Sequence, residues 1–199
     1  MAEARQAILD QEDLENMVFS DQDLLGIDLR GKSFASCRFD NLRLTEVPLS
    51  DCTFEDCVFE SCDLTMAKVS GAAFHEVLFQ RSKLMGIDWT PVRGLIFTVT
   101  FDGCNLTHAT FAQRKMCGTH FLDCKAHEVT FLSVDLSQAV FAGSDLLGAR
   151  FIDTELNEAD LSQARNYQIN PQQNRLRKTR FSQEAAIALA GEMGVIVPD

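Results

Sequence analysis

Four cysteine and histidine side chains have a spacing that could bind a metal ion. Cys104, His108, Cys124 and His127 follow the pattern C-x3-H-x15-C-x2-H. Thiolate and imidazole ligands at such spacings are typical of structural zinc sites. A zinc site requires all four side chains to converge on one point, so the answer depends on the local structure that positions them.

Motifs for covalent or phosphate chemistry are missing from the chain. The sequence contains no GxSxG, no glycine-rich phosphate loop and no CxxC pair. Asp and Glu are plentiful, but they recur where a solvated surface would carry them. We therefore expect a protein that is not an enzyme and that needs no cofactor.

An apolar residue recurs at every fifth position in two runs, from Leu14 to Trp89 and from Ile96 to Leu161. These runs contain 30 positions, all of them apolar, and they include 13 of the 15 phenylalanines. Two positions before each of them the residue is usually small, and six of the seven cysteines occupy that slot. A period of five fits neither a helix nor a strand. It predicts a coil in which each five-residue side turns two side chains inward and three outward.

Every fourth apolar position repeats the same residue type, which predicts four sides per coil. One such column reads Phe19, Phe39, Phe59, Phe79, Phe101, Phe121, Phe141, Leu161. The columns stay aligned only if two extra residues lie between Trp89 and Ile96, within residues 90–95. Thirty sides give about 7.5 coils, and at about 4.8 Å per coil the rod is roughly 36 Å long.

This coil divides the chain into three predicted parts. Residues 1–11 form an N-terminal cap in which Ala7, Ile8 and Leu9 pack, and residues 12–165 form the coil with its small insertion at 90–95. Residues 166–199 form a loop and a capping helix, which is predicted to begin at Ser182 and to run to about Met193. An apolar tail follows.

The predicted coil argues against the zinc site. Cys104 and Cys124 occupy inward slots, whereas His108 and His127 occupy outward slots, so we expect no metal site. The cysteines are best explained as small buried hydrophobes with free thiols, and Cys117 is the only one outside the inward slot. Free thiols and a polar N-terminus without a secretory signal predict a cytoplasmic protein. No transmembrane segment is predicted.

The outward charges are predominantly negative. The net charge of −11 argues against direct binding to nucleic acid or to an anionic membrane. Residues 1–89 carry 17 acidic and 8 basic side chains, so the negative field concentrates in the first half. We predict an acidic, partner-binding surface on two adjacent sides, formed by Asp21, Asp40, Glu55, Asp56, Glu60, Glu76, Asp102 and Asp123.

Three inward slots carry charged residues. Glu12 and Lys32 lie one coil apart and are predicted to pair near the end of the rod. Arg114 lies in the middle of the rod without an obvious partner. We expect its side chain to bend outward at a corner, and the alternative is a local irregularity that marks a partner site.

Short motifs give the coil a family resemblance: CDL at 62–64, CNL at 104–106, VDL at 134–136, SDL at 144–146 and ADL at 159–161. They resemble the A(D/N)Lxx motif of the pentapeptide-repeat family over residues 12–165. The resemblance implies an all-β fold, a right-handed quadrilateral parallel β-helix with a short C-terminal helix.

Within that family the chain is similar in size and acidity to the Qnr and MfpA proteins. The resemblance implies a DNA mimic that binds bacterial DNA gyrase or topoisomerase IV, with a link to quinolone resistance. It also implies a homodimer through the C-terminal segment, and a cap without dimerisation remains the alternative. The chain departs from Qnr proteins of Gram-negative bacteria, which carry two projecting loops. A structural or scaffold module with an unrelated partner is the second functional hypothesis.

Overall fold

The structure is a computed structural model that describes residues 2–20, 24, 27–45, 47–94 and 97–196, without the side chains of residues 2–4 and Glu192. The chain forms a parallel β-solenoid of about eight turns, which confirms the predicted architecture. Helix α1 (Ala2–Asp10) precedes the coils, and helix α2 (Gln183–Glu192) follows them. Neither helix of the described residues is long and apolar enough to cross a membrane.

Short strands lie on the sides of the coil, and each described strand has two to four residues. In chain order they are β1 Asp13–Glu15, β2 Val18–Phe19, β3 Ser33–Ala35, β4 Arg38–Asp40, β5 Thr53–Glu55, β6 Val58–Glu60, β7 Ala73–His75, β8 Val77–Gln80, β9 Val99–Asp102, β10 Thr110–Ala112, β11 His120–Leu122, β12 Thr130–Leu132, β13 Arg150–Ile152, β14 Asp160–Leu161 and β15 Arg180–Phe181.

Four faces follow from the pairing of these strands. Face I contains β1, β3, β5 and β7, and it continues as single bridges from Lys115 to Asp135, Glu155 and Arg175. Face II is the six-stranded sheet β2-β4-β6-β8-β9-β11. Face III consists of single bridges, among them Arg43 to Asp63 and Asp145 to Arg165. Face IV contains β10, β12 and β13.

Like residues stack on like residues along the axis, as the repeat predicts. In face II, Phe39 pairs with Phe59, and their rings stack with centroids 4.4 Å apart. Rings of neighbouring columns meet edge to face, as between Phe54 and Phe59 at 5.3 Å. Both arrangements suit the quadrupoles of aromatic rings. The result is one continuous apolar core along the rod.

The small inward slot binds the backbone of the previous coil. The thiol of Cys57 lies 3.3 Å from the carbonyl oxygen of Phe34, and the thiol of Cys104 lies 3.2 Å from that of Phe79. Ser82 occupies the same slot and donates its hydroxyl to the carbonyl of Phe59. Six cysteines are buried and Cys117 is exposed, which confirms their predicted placement.

Along the described residues, the spacing between paired residues changes from 20 to 22 between Arg93 and Thr98. Arg93 N–H still donates to the carbonyl of Ala72, at the offset of the earlier coils. Val77, however, pairs with Val99, which lies two residues further along the chain than that offset requires. Phe97 lies outside the five-residue ladder, yet its side chain is buried at this level of the core.

Both ends of the rod carry a helix. In α1 the side chain of Ile8 is buried and Ala7 packs on the core, but the prediction for Leu9 is wrong, since Leu9 is 58% exposed. The helix turns that side chain away from the first coil. At the other end, Ser182 caps α2 by accepting a hydrogen bond from Ala185 N–H, which agrees with the predicted start of this helix.

Candidate functional site

The acids predicted to form a partner surface lie on faces I and II and at their edges. Asp40, Glu60 and Asp102 follow one outward row of face II, while Glu55 ends a strand of face I. Asp56 and Glu76 lie at the corner between the two faces, and Asp123 lies at the far edge of face II. Asp21 lies outside the described residues.

Glu60, which was predicted as part of the acidic surface, has its charge paired within the protein. Its side chain is only 16% exposed and forms ion pairs with both Arg38 and Arg81. The coil brings Arg38 from the turn before and Arg81 from the turn after, so two guanidinium groups neutralise one carboxylate. The five-residue period did not predict this triad, because its three members lie on successive coils and meet only through their side chains.

Three exposed acids remain close together, and we call Glu55, Asp56 and Glu76 the acidic corner. The side chain of Glu55 is 64% exposed, and its nearest cationic candidate is His75, with Nδ1 3.9 Å from Oε1. Asp56 accepts a hydrogen bond from the hydroxyl of Ser36, which leaves its charge in place. All three residues therefore present negative charge to solvent.

Glu15 belongs to the same row as Glu55, although it was not among the predicted acids. Glu15 is exposed and lies two coils before Glu55, because β1 pairs with β3 and β3 pairs with β5. Its signal in the sequence is its separation of two full coils from Glu55. Glu15 extends the acidic corner towards the N-terminal end of the rod.

Face III is close to neutral because opposite charges alternate along it. Lys83 Nζ lies 3.4 Å from the carboxylate of Asp63. Partial burial opposes ionisation of Asp63, but hydrogen bonds from Thr65 and Lys83 outweigh it and lower the pKa of this carboxyl. The row continues through Lys125 and Asp145, so face III does not extend the negative surface.

Basic residues of the last coil are paired with acids of the coil before. Arg180 Nη1 lies 2.9 Å from the carboxylate of Asp160, and Lys178 Nζ lies 3.7 Å from Glu158. Arg175 pairs with Glu155 in the same way. These exposed pairs each contribute little to stability. They also reduce the net charge of the C-terminal half.

The four residues with zinc-like spacing lie in two different environments. Cys104 and Cys124 are buried, and burial raises the pKa of their thiols to about 11 and about 12. The ring of His108 lies outside, with Nδ1 3.5 Å from Glu128, and His127 Nε2 lies 3.1 Å from Asp145. Within the described part of the chain, no group of three or more potential ligands could hold a metal ion.

Arg114 does not bend out into solvent as expected. Its Nη2 donates hydrogen bonds to the carbonyls of Thr90 (3.2 Å) and Val92 (2.6 Å). Its guanidinium lies 5.1 Å from the ring centroid of Phe97, at cation–π distance. Burial lowers the pKa of Arg114. Beside the change of spacing, the Arg114 side chain thus supplies hydrogen-bond donors to the backbone carbonyls of Thr90 and Val92.

Lys32 also has a different partner from the one predicted. Its ammonium donates to the carbonyl of Gln11 at 2.8 Å, and Glu12 is exposed. The salt bridge expected between Lys32 and Glu12 is not among the ion pairs of the described residues.

Comparisons with known proteins agree with the repeat. A model described as a pentapeptide repeat region matches residues 27–93, and a model of pentapeptide repeats in eight copies matches residues 104–143 and 133–165. Together these matches cover more than half of the chain. No curated protein sequence matches significantly.

Two solved structures align with most of this chain at low sequence identity. Full-length QnrB1, a plasmid-mediated fluoroquinolone resistance protein, is 18% identical, with 92% of this chain and 97% of that chain covered and a TM-score of 0.39. HetL, a pentapeptide repeat protein involved in heterocyst differentiation regulation from the cyanobacterium Nostoc, is 13% identical, with 85% and 83% covered and a TM-score of 0.29.

Proposed function

Because the chain belongs to the pentapeptide-repeat family, whose fold alone does not determine a function, we propose a function from its surface charge. The protein is a non-enzymatic binding protein that mimics DNA and acts on a bacterial type II topoisomerase, either DNA gyrase or topoisomerase IV. The observation that carries this proposal is the acidic corner of Glu55, Asp56 and Glu76 along one edge of the solenoid.

The linear charge density supports mimicry. Residues 1–165 contain 26 acidic and 14 basic side chains. Spread over a rod of roughly 36 Å at about 4.8 Å per coil, this is about one net negative charge per 3 Å. Duplex DNA carries one charge per about 1.7 Å, so the rod comes within about twofold of DNA.

The position of the free acids supports mimicry as well. Face III and the C-terminal coils contain ion pairs with lysine or arginine, whereas the acidic corner has no arginine or lysine bound to it among the described ion pairs. A positively charged DNA-binding surface would therefore meet the corner between faces I and II. Such binding weakens steeply with salt, because it depends on screened charge contacts.

A matched pair of charge-reversal variants tests the proposal. The test variant is Glu55→Lys, Asp56→Lys and Glu76→Lys. The control variant, Asp88→Lys, Glu128→Lys and Asp153→Lys, changes the net charge equally at exposed positions elsewhere. Each variant places two lysines at corner positions with positive φ, where Lys178 already occurs with φ 59°. Differences in backbone strain are thereby balanced.

The assay is supercoiling by gyrase from the same organism, and relaxation by topoisomerase IV, with and without a quinolone. We expect the wild-type protein to inhibit the enzyme or to protect it from the drug. The control variant should retain this effect and the test variant should lose it. If tens of micromolar wild-type protein has no effect on either enzyme, or if both variants act equally, the proposal is wrong.

The exposed apolar side chains near the C-terminus support a homodimer. Ile187 is 46% exposed, Met193 65%, Val195 53% and Ile196 89%. A monomer would leave this group in water, whereas a two-fold contact between copies would bury it. Light scattering after gel filtration should give twice the chain mass for the wild type and the monomer mass for Ile187→Asp with Ile196→Asp. A monomeric wild type would leave the segment as a cap alone.

The neutral, ion-paired surface of face III favours a second candidate, a scaffold module with an unrelated protein partner. A pull-down from bacterial lysate, with both charge-reversal variants in parallel, distinguishes the two functions. A partner other than a topoisomerase that is retained equally by both variants would support the scaffold function.

A further inference from the structure

A notch lies at the corner between faces I and II, beside the acidic corner. It has a volume of about 390 Å³ and opens to solvent. Glu76, a member of the acidic corner, lines it. The other lining residues come from the same coil and the next two: Val77, Leu78, Thr98, Val99, Thr100, Cys117, Gly118 and Thr119. The exposed acids and the notch therefore form one continuous surface.

The altered spacing before Thr98 changes how this corner is built. One coil earlier, Asp56 N–H donates to the carbonyl of His75, whereas Glu76 N–H donates to the hydroxyl of Thr98 at 2.7 Å. The preceding side chain, that of Phe97, is buried in the core. Phe97 thus points inward and Thr98 binds back onto Glu76, so neither side chain closes the notch.

Gly118 leaves the opposite wall of the notch low. Its φ is 69°, and a Cβ added there would meet no heavy atom of the described residues within 4 Å. Other corner residues of the same column adopt positive φ with a side chain attached, among them Glu76 (φ 53°) and Gln138 (φ 60°). Glycine is therefore not the only residue that this corner accepts, and its lack of a side chain keeps the notch open.

The inside of the notch is largely aliphatic. Val77 and Val99 are buried in its floor, and Leu78 is half-buried beside them. A volume of about 390 Å³ is near the lower end of the range for small-molecule pockets, about 300–1,000 Å³. An apolar side chain that entered would leave water, which is favourable. The notch therefore suits one large apolar side chain.

We infer that the notch is an anchor site for a single large apolar side chain, carried by a basic segment of the partner protein. The charge of the segment is selected by Glu55, Asp56 and Glu76, which present negative charge to solvent next to the notch. The apolar side chain enters beside Leu78. A few buried side chains of this kind carry most of the binding energy in many protein interfaces.

The anchor adds specificity to attraction by charge. It rests on the proposed function only for the identity of the partner, a topoisomerase. Salt screens the attraction between the exposed acids and a basic surface. Burial of an apolar side chain does not depend on that attraction. A protein with both features discriminates among basic surfaces, because only a surface that carries the apolar side chain gains the second contribution.

Two fluorescein-labelled heptapeptides are the probes, each with four lysines and with either phenylalanine or glycine at the centre. Their charge is the same. In the protein, Gly118→Gln places a side chain in the notch, and Gly31→Gln is the matched control. Gly31 lies at an exposed corner between faces IV and I, with φ 73° and no heavy atom of the described residues near its added Cβ. Its column already accepts glutamine at Gln113, as the column of Gly118 does at Gln138.

Binding to the full-length protein is followed by fluorescence anisotropy. The phenylalanine peptide should bind the wild type and Gly31→Gln about tenfold or more tightly than the glycine peptide. Both affinities should fall as salt is added, while their ratio stays nearly constant. For Gly118→Gln the ratio should fall to about twofold or less, because the anchor can no longer enter.

Cys117 gives a second, local readout, since it lines the notch and is the exposed member of the seven cysteines. The phenylalanine peptide at saturation should slow labelling of Cys117 by a thiol reagent about fivefold or more, and the glycine peptide should not. Equal affinity of the two peptides for the wild type, or no binding of either, would overturn the anchor site. So would an equal loss of preference in Gly118→Gln and Gly31→Gln.

Failure of the anchor site is distinguishable from failure of the proposed function. Equal binding of both peptides, together with inhibition or drug protection of a topoisomerase, would refute the anchor and leave DNA mimicry standing. Preference for the phenylalanine peptide with protection of Cys117, but without an effect on either topoisomerase, would support the anchor and assign it to a different basic partner.

Discussion

Replacing Phe59 by alanine should remove a large part of the stability of the rod. The side chain is fully buried, and its ring stacks on Phe39 at 4.4 Å and on Phe79 at 5.0 Å, with Phe54 edge-on at 5.3 Å. Truncation of a buried phenylalanine costs about 3–5 kcal/mol, through lost transfer free energy and the cavity that remains. Each of the three ring contacts adds about 0.5–1.5 kcal/mol beyond area burial, so we expect a loss of stability at the upper end of this range.

The assay is urea unfolding followed by the fluorescence of Trp89, which is the single tryptophan of the chain and lies 5.8 Å from the Phe79 ring. Phe181→Ala is the matched control, since Phe181 ends the same column, is only half-buried and has one ring contact, with Tyr167 at 6.1 Å. A loss below about 1 kcal/mol for Phe59→Ala, or a loss no larger than that of Phe181→Ala, would refute the predicted stacking. Far-UV circular dichroism should give the same midpoint if the coils unfold together.

Three further predictions concern the thiols and Arg114. At pH 8, a thiol reagent should label Cys117 rapidly and the six buried cysteines only after denaturation; rapid labelling of all seven would contradict their burial. Burial raises the folded-state pKa of Cys104 to about 11 and of Cys124 to about 12, above the ordinary value of 9.0. The protonated thiols therefore contribute their full stability below pH 9, and this contribution should be lost as the pH rises towards 11–12. Between pH 8 and pH 10.5, the urea midpoint should fall less in the double variant with alanine at both sites than in the wild type. Arg114→Ala should lower the free energy of unfolding by about 1–3 kcal/mol, because it leaves the carbonyls of Thr90 and Val92 without their donor; a change within error would mean that water replaces it.

The core was predictable because its apolar residues recur at every fifth position of the sequence. Every fifth residue, such as Phe59, is apolar, and the residue two positions before it, such as Cys57, is small. Counting by five therefore predicts which side chains point into the core and which point to solvent. The acidic corner followed from the same count, since Glu55 and Asp56 occupy outward slots. No tertiary information was needed for these assignments.

The five-residue period could not predict the side-chain contacts between successive coils. The pairing of Glu60 with two arginines depends on side-chain reach between turns, and the burial of Phe97 depends on how the extra residues are accommodated. Arg114 was misplaced for the same reason, because its partners exist only where the spacing changes. Residues before the first repeat carried no five-residue pattern, which is why α1 was predicted only as a cap.

The four-sided coil also determines which length changes the protein tolerates in evolution. Insertion or deletion of five residues keeps every rung apolar, yet it moves all later surface residues by a quarter turn onto the next face. Only a change of twenty residues preserves both the interior and the alignment of surface rows such as Glu15 and Glu55. The two residues added between Arg93 and Thr98 follow a third route, since they are absorbed locally and Phe101 still stacks beneath Phe79. If a partner binds along one edge of the solenoid, the length of the chain can therefore change only by whole turns or by local bulges without disrupting that edge.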